Sequence, residues 1–109
     1  MNESLIAIAD VLLDIEKELR DLGLWDAEMI SREALASVQP FAVDTMTFPQ
    51  WLQFIFLPRM YFLLDQQLPL PVSCGIAPMA EQYFSGLNMH VFSLILHLQK
   101  IDTLLSHAH

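Results

Sequence analysis

The feature that most constrains the fold of this chain is an apolar stretch in its middle, residues 51–64. Nearly every side chain in it is hydrophobic, which is typical of a helix that is buried on all sides. Just before it, Thr47 can cap the first turn while Gln50 reaches back to the cap, in a reciprocal capping box. We therefore predict a central helix over about 48–65, around which other helices must pack. Pro58 removes one backbone donor, so we expect a kink there.

The same stretch is not expected to cross a membrane. It is shorter than the roughly 20 residues that a span needs, and it carries Pro58 and Arg59 near its middle. No basic segment precedes the first apolar residues, and Asp10 and Asp14 interrupt them, so a signal peptide is not expected. With Cys74 as the single cysteine, no intrachain disulfide can form. We predict a cytoplasmic protein with no membrane association.

Two amphipathic helices are predicted on either side of the central one. Hydrophobic residues recur at three- and four-residue steps over 3–22, which places them on one face of a helix. Gly23 can end this helix in a Schellman-type turn, because glycine adopts the left-handed conformation without strain. The same spacing predicts a last helix over about 88–105, and the residues after it are expected to fray.

Short helices are expected in the connections. Residues 26–36 favour helix, with Asp26 as a cap, and a proline in the first turn favours another helix over 77–84. The loop before the central helix should be ordered, with Phe41 inserted into the core. No strand-like alternation of polar and apolar residues occurs in the sequence. We predict an all-α fold, an irregular bundle of three long helices and several short ones in a single domain over 1–109.

The composition points to a protein partner rather than to nucleic acid. Hydrophobic residues make up 54% of the chain, so either the core is large or some apolar surface is reserved for a partner. The formal net charge of −8 repels phosphate backbones, and direct binding to nucleic acid is not expected. A basic protein partner fits this charge better, and the apolar excess is also consistent with a homodimer.

No metal site and no cofactor is expected. His90 and His97 lie on one face of the last helix but two turns apart, whereas two ligands of one metal usually lie one turn apart. His107 and His109 stand in the tail. Three glycines in the whole chain do not form a phosphate-binding loop, and no local signature supplies a base for Cys74. These absences favour a protein that is not an enzyme.

Arg59 is the most unusual residue of the central helix. A guanidinium among apolar side chains cannot be buried there without a partner. Either it extends to the surface or pairs with a carboxylate such as Asp44 or Asp65, or it binds an anion or a carboxylate of a ligand. In the second case we expect a pocket that Arg59 forms with Asp44 and the loop at Pro69 and Pro71.

Aromatic residues concentrate in the same helix. They could line a groove for a ligand or for a partner helix, although packing in the core is the commoner role of such residues. The aromatic residues of this stretch are Trp51, Phe54, Phe56, Tyr61 and Phe62.

Short motifs follow one another in a fixed order over about 35–84. They are Pro40-Phe41, Asp44-Thr45-Met46, Trp51-Leu52-Gln53, Pro58-Arg59-Met60, Leu68-Pro69-Leu70-Pro71 and Ala77-Pro78. In this order they resemble the YqcC-like family of small bacterial proteins. The resemblance implies an acidic, helical, cytosolic protein without an established biochemical activity. The candidate binding residues in this region are Asp44, Thr45, Trp51, Arg59, Asp65, Pro69 and Pro71.

The resemblance also implies a connection to tRNA modification. Genes of the family often stand beside that of tRNA pseudouridine synthase C, and the enzyme's name is sometimes given to the family. A pseudouridine synthase needs a much larger α/β catalytic domain with a catalytic aspartate, so Asp44 is not assigned that role. The leading hypothesis is a protein-interaction module, accessory to pseudouridylation. The alternatives are a small-ligand site for an anion or carboxylate around Arg59, and direct tRNA binding.

Overall fold

Helix α1 (Glu3–Asp21) packs along the last helix, α6 (Phe92–His107), in this computed structural model, which describes residues 3–72 and 75–107. The apolar face of α1 is buried over Ile8, Leu12, Ile15 and Leu19, as the spacing predicted, and is half-buried at Leu5 and Leu22. Gly23, at φ +73°, ends the helix as expected. The amide of Leu24 donates to the carbonyl of Leu19 at 2.9 Å, the long hydrogen bond of a Schellman motif.

The last helix begins at Phe92, later than predicted. The residues before it form turns instead, with Gly86 at φ +82° and the amide of Leu87 donating to the carbonyl of Phe84 at 3.1 Å. The backbone amides in these turns are therefore not part of the helix. The first hydrogen bond of the helix runs from the amide of Ile95 to the carbonyl of Val91, at 2.9 Å. At the other end the helix extends to His107, beyond the predicted end.

The central helix is continuous over 48–65, as predicted, and consists of α3 (Phe48–Trp51), a π-helical segment (Leu52–Phe56) and α4 (Leu57–Asp65). Both hydrogen bonds of the capping box at Thr47 are present. The amide of Leu57 donates to the carbonyl of Leu52, five residues back. The distortion expected from Pro58 thus takes the form of a wider turn just before it.

The expectation that this helix is buried on all sides is wrong for one face. Leu52, Leu57 and Met60 are buried, but Arg59 is exposed and 57% of Phe62 is accessible to solvent. Helix α1 packs on one side of α4, and residues of the loops before α3 and after α4 lie beside Arg59 on another. Part of the apolar excess in the composition is therefore surface.

The connection after α1 is not helical at 26–30, contrary to the prediction for Asp26. Instead of capping a helix, the backbone of Asp26 pairs with the side chain of Gln53. Its amide donates to Oε1 and its carbonyl accepts from Nε2, each at 2.8 Å. The short helix α2 (Arg32–Leu35) follows, capped by Ser31. The non-helical segment is thus tied to the central helix by a buried amide.

Helix α5 (Ile76–Phe84) packs on α6 and completes the bundle. No strand occurs in the described residues, and the all-α class is confirmed. Across residues 3–72 and 75–107, no helix is long and apolar enough to cross a membrane.

Candidate functional site

The loop that leads into the central helix has an unusual backbone. A 3-10 turn (Pro40–Ala42) places Phe41 at φ +56° and Ala42 at φ +49°. Residues with a Cβ rarely adopt this left-handed region, and each such residue costs roughly 1–2 kcal/mol. Two consecutive residues in this conformation mark the turn as strained, and such strain is found preferentially at functional sites.

Side-chain hydrogen bonds that involve Asp44 and Thr45 hold this loop in its conformation. The Ser37 hydroxyl donates to Oδ1 of Asp44. The Thr45 hydroxyl donates to the carbonyl of Ala34 at 2.8 Å, which fastens the end of the loop to α2. Two of the predicted binding residues therefore hold the position of Phe41, and neither lines the groove described below.

The ring of Phe41 lies against Trp51. Their centroids are 4.8 Å apart, at an interplanar angle of 65°, an edge-to-face arrangement. Trp51 in turn stacks on Phe56 at 5.4 Å and on Phe48 at 6.0 Å. An aromatic pair of this kind contributes about 0.5–1.5 kcal/mol beyond the burial of its area. The free energy that the ring contact contributes is thus comparable to the strain energy at one of the two backbone positions.

Phe41, Trp51 and Phe56 form one wall of a groove of about 380 Å³. Ile55 and Met60 add aliphatic surface from the same helix, and Pro71 contributes from the loop after α4. Arg59 is the one charged side chain among the lining residues that the structure describes. The result is an apolar groove with a guanidinium at its edge.

The guanidinium of Arg59 is exposed, and among the carboxylates of the described residues none lies within ion-pair distance of it. Lys17, by contrast, pairs with Asp21 at 2.9 Å. Of the two structural alternatives for Arg59, extension to the surface is found, and pairing with Asp44 or Asp65 is not. The five N–H donors of Arg59 are therefore available to a carboxylate or phosphate from outside.

The groove brings together Trp51, Arg59 and Pro71 from the predicted site. Pro69 is exposed and does not line it. Asp65, at the end of α4, accepts a hydrogen bond from the side chain of Gln66 at 2.9 Å. The sequence did not indicate Ile55 and Met60 as lining residues. Both stand in a continuous apolar run, in which residues that line a groove look the same as residues of the core.

No His, Asp or Glu among the described residues lines the groove. In the part of the chain that the structure describes, no group of three His, Cys, Asp or Glu side chains is placed to hold a metal ion. Nε2 of His97 lies 3.8 Å from Oε1 of Glu18, between α6 and α1. Cys74, His109 and the side chain of His107 fall outside the described residues.

Comparisons with known proteins identify relatives over most of the chain. The family model DUF446, described as "tRNA pseudouridine synthase C", matches residues 7–104. The uncharacterized protein YqcC of Escherichia coli is 33% identical over 90 residues, which are 83% of each chain. An uncharacterized protein of Haemophilus influenzae is 35% identical over 77 residues, 71% of this chain and 73% of that one.

Two further likenesses concern a longer protein and a solved structure. A Pectobacterium carotovorum protein named "tRNA pseudouridine synthase C" is 48% identical over 62 residues, which are 57% of this chain but only 16% of that protein. The solution NMR structure of YqcC from E. coli has a TM-score of 0.86 and 29% identity, and the match covers 99% of this chain and 92% of that one.

Proposed function

This chain belongs to the YqcC-like family (DUF446), and we propose that it is a cytoplasmic, non-enzymatic module that binds a protein partner in the groove beside Trp51 and Arg59. The supporting observation is the combination of an aromatic-lined groove with an exposed guanidinium that has no carboxylate partner in the described chain. Aromatic side chains and arginine are the residues that most often dominate the binding energy of protein interfaces.

Two electrostatic effects indicate which charges the partner should carry. The net charge of −8 attracts a basic protein surface over distances of about a Debye length. At the groove itself, Arg59 favours a carboxylate, which can accept two hydrogen bonds from the guanidinium. The occupant that we propose is therefore an apolar segment with an acidic side chain, carried by a protein whose surrounding surface is basic.

A tRNA pseudouridine synthase is the partner that the comparisons support best. The Pectobacterium protein carries that name, and its similarity to this chain occupies 16% of its length. A stretch similar to 57% of this chain is thus part of a much longer polypeptide there. We propose that this chain associates with a synthase of that kind.

A small anionic ligand is the second candidate, and the same unpaired Arg59 favours it. A groove of about 380 Å³ falls within the range of small-molecule sites. Direct tRNA binding is opposed by the net charge. A homodimer through the groove would leave two copies of Arg59 in one interface, where their charges repel each other.

The test uses the purified chain and purified tRNA pseudouridine synthase C from the same organism, with titration calorimetry and size-exclusion chromatography. We expect a stable complex that Arg59→Glu weakens at least about tenfold, because a charge pair at an interface is lost and reversed. Arg32→Glu is the matched control, since Arg32 is also exposed but lies on α2.

Three results would contradict the proposal. The first is that no complex forms at micromolar concentrations, and the second is that Arg32→Glu weakens it as much as Arg59→Glu. The third is binding of citrate or succinate that depends on Arg59 when the synthase does not bind, which would transfer the function to the small-ligand candidate. A mobility-shift assay at low salt decides on direct tRNA binding.

A further inference from the structure

Phe41 lines the groove and lies against Trp51. Its ring is half-buried and lies 4.8 Å from Trp51 and 6.3 Å from Phe48, between centroids. It comes from the loop, whereas most of the other lining residues belong to the central helix. Trp51 is thus already in contact with a phenyl ring that comes from the loop.

The backbone of the loop is strained when this ring lies against Trp51. Phe41 and Ala42 both have positive φ angles without being glycine, so the closed loop is strained. If the ring left Trp51, both residues could return to ordinary backbone conformations. Strain released in this way offsets part of the aromatic contact that would be lost.

Two side-chain hydrogen bonds that hold the loop are weak because water competes for them. The hydrogen bonds from Ser37 to Asp44 and from Thr45 to Ala34 are both exposed. An exposed hydrogen bond is readily exchanged for one to solvent. Among the described residues of the loop, Ala42 and Met46 are the buried ones. Ala42 directly follows Phe41, so displacement of the ring also moves Ala42, whereas Met46 lies close to the start of the central helix.

We infer that Phe41 is a displaceable placeholder, and that an aromatic side chain of the partner takes its position against Trp51 while an adjacent carboxylate binds Arg59. This inference rests on the proposed function and adds two things to it. It specifies the anchor of the partner as a phenylalanine- or tyrosine-like ring next to an acidic residue. It also makes Phe41 a competitor of the partner, so removal of its ring should tighten binding.

The first measurement needs no partner. Amide hydrogen exchange of the free protein reports how often the loop opens, because the amides of Ala42 and Met46 are hydrogen-bonded within it. We expect them to exchange at least roughly a hundredfold faster than the buried amides of Leu12 and Ile15 in α1. Equal protection of the two groups would overturn the inference, whatever the partner is.

The second measurement is the affinity for purified tRNA pseudouridine synthase C. Phe41→Ala should lower Kd about three- to tenfold, because the fraction of protein with an open groove increases. Val43→Ala is the matched control, since it shortens an exposed apolar side chain of the same loop that does not line the groove. Ser37→Ala, which removes two exposed hydrogen bonds, should act in the same direction and covers the case that Phe41→Ala does not fold.

The sign of the change distinguishes this inference from the proposed function. Tighter binding by Phe41→Ala with unchanged binding by Val43→Ala supports displacement. Weaker binding by Phe41→Ala, with the wild type forming a complex, shows that Phe41 is a fixed part of the interface, and then the inference fails while the proposed function stands. If neither the wild type nor any variant binds the synthase, the proposed partner is wrong and displacement by it is wrong too.

Discussion

Asp102 on α6 caps the helix that begins at Ile76. Its Oδ1 accepts the amide of Ile76 at 3.1 Å, and its Oδ2 accepts the amide of Ala77 at 2.8 Å. The residue at the usual capping position, Gly75, has no side chain and lies at φ +61°. A carboxylate from a neighbouring helix thus accepts the free backbone amides that a serine or aspartate at the N-cap normally accepts.

Replacement of Asp102 by alanine should lower the free energy of unfolding by about 1–2 kcal/mol. Two backbone donors lose their acceptors and the positive end of the α5 dipole loses a negative charge. Urea unfolding followed by circular dichroism measures the change. Asp10→Ala, on the exposed face of α1, is the control and should change stability by less than about 0.5 kcal/mol. Equal effects of the two substitutions would show that the cap contributes nothing.

Gln53→Leu should destabilise the protein by about 1–3 kcal/mol, although it replaces a polar group in the core with an apolar one. The buried amide of Gln53 satisfies both the N–H and the carbonyl of Asp26, and leucine satisfies neither. Gln82→Leu, at an exposed position of α5, is the matched substitution. A Gln53→Leu protein as stable as the wild type would mean that the segment around Asp26 is held by other contacts.

Gln67→Gly should stabilise the protein by about 0.5–1 kcal/mol. Gln67 ends α4 at φ +55°, in a Schellman motif in which Leu68 donates to the carbonyl of Leu63 at 2.9 Å. Glycine adopts this conformation without the clash of a Cβ. The preceding Gln66, at φ −87°, gives the contrast, because Gln66→Gly should destabilise by a similar amount. Thermal unfolding of the two variants should therefore shift in opposite directions.

Tyr61 makes the stability sensitive to alkaline pH. Burial first, and the negative charge of Glu16 second, raise the pKa of Tyr61 above its ordinary value of 10.0. The folded state therefore holds this proton more tightly than the unfolded state. The resulting stabilisation is fully present below the unfolded pKa and is lost as the pH rises through the folded pKa.

Tyr61→Phe tests this directly. The hydroxyl is buried and has no hydrogen-bond partner among the described residues, so its removal should change stability at neutral pH by less than about 1 kcal/mol. Above roughly pH 10 the wild type should lose stability faster than the variant. Urea unfolding at a series of pH values measures both, and parallel pH curves would rule out a contribution from Tyr61.

The predictions that the structure confirms concern interactions between neighbours in sequence. Gly23 ends α1 because the residue type itself determines the backbone conformation. The capping box at Thr47 lies within one turn. Asp26 and Asp102 each pair with a segment more than 20 residues away, and no local pattern carries that information. The positive φ of Phe41 was not predictable either, since no glycine marks it.

The candidate site, like the fold, was predictable only where the signal lies within one segment of the sequence. Trp51 and Arg59 are unusual within their own helix, so the sequence alone indicates them. The groove also needs Pro71 and the loop with Phe41, which reach it only through tertiary packing. Asp44 and Thr45 belong to the same motif-bearing region but hold the loop instead of lining the groove.

The π-helical segment determines which way Arg59 faces. In an uninterrupted α-helix, the step from Trp51 to Arg59 amounts to two turns and a further rotation of roughly 80°. One extra residue in the wider turn at 52–56 offsets about 100° of rotation, which in ideal geometry brings the two directions within roughly 20° of each other. Both side chains line the same groove. Deletion of a single residue there would leave Arg59 in the sequence but direct it away from Trp51. The angular register of this helix is therefore as much a part of the site as the residues that line it.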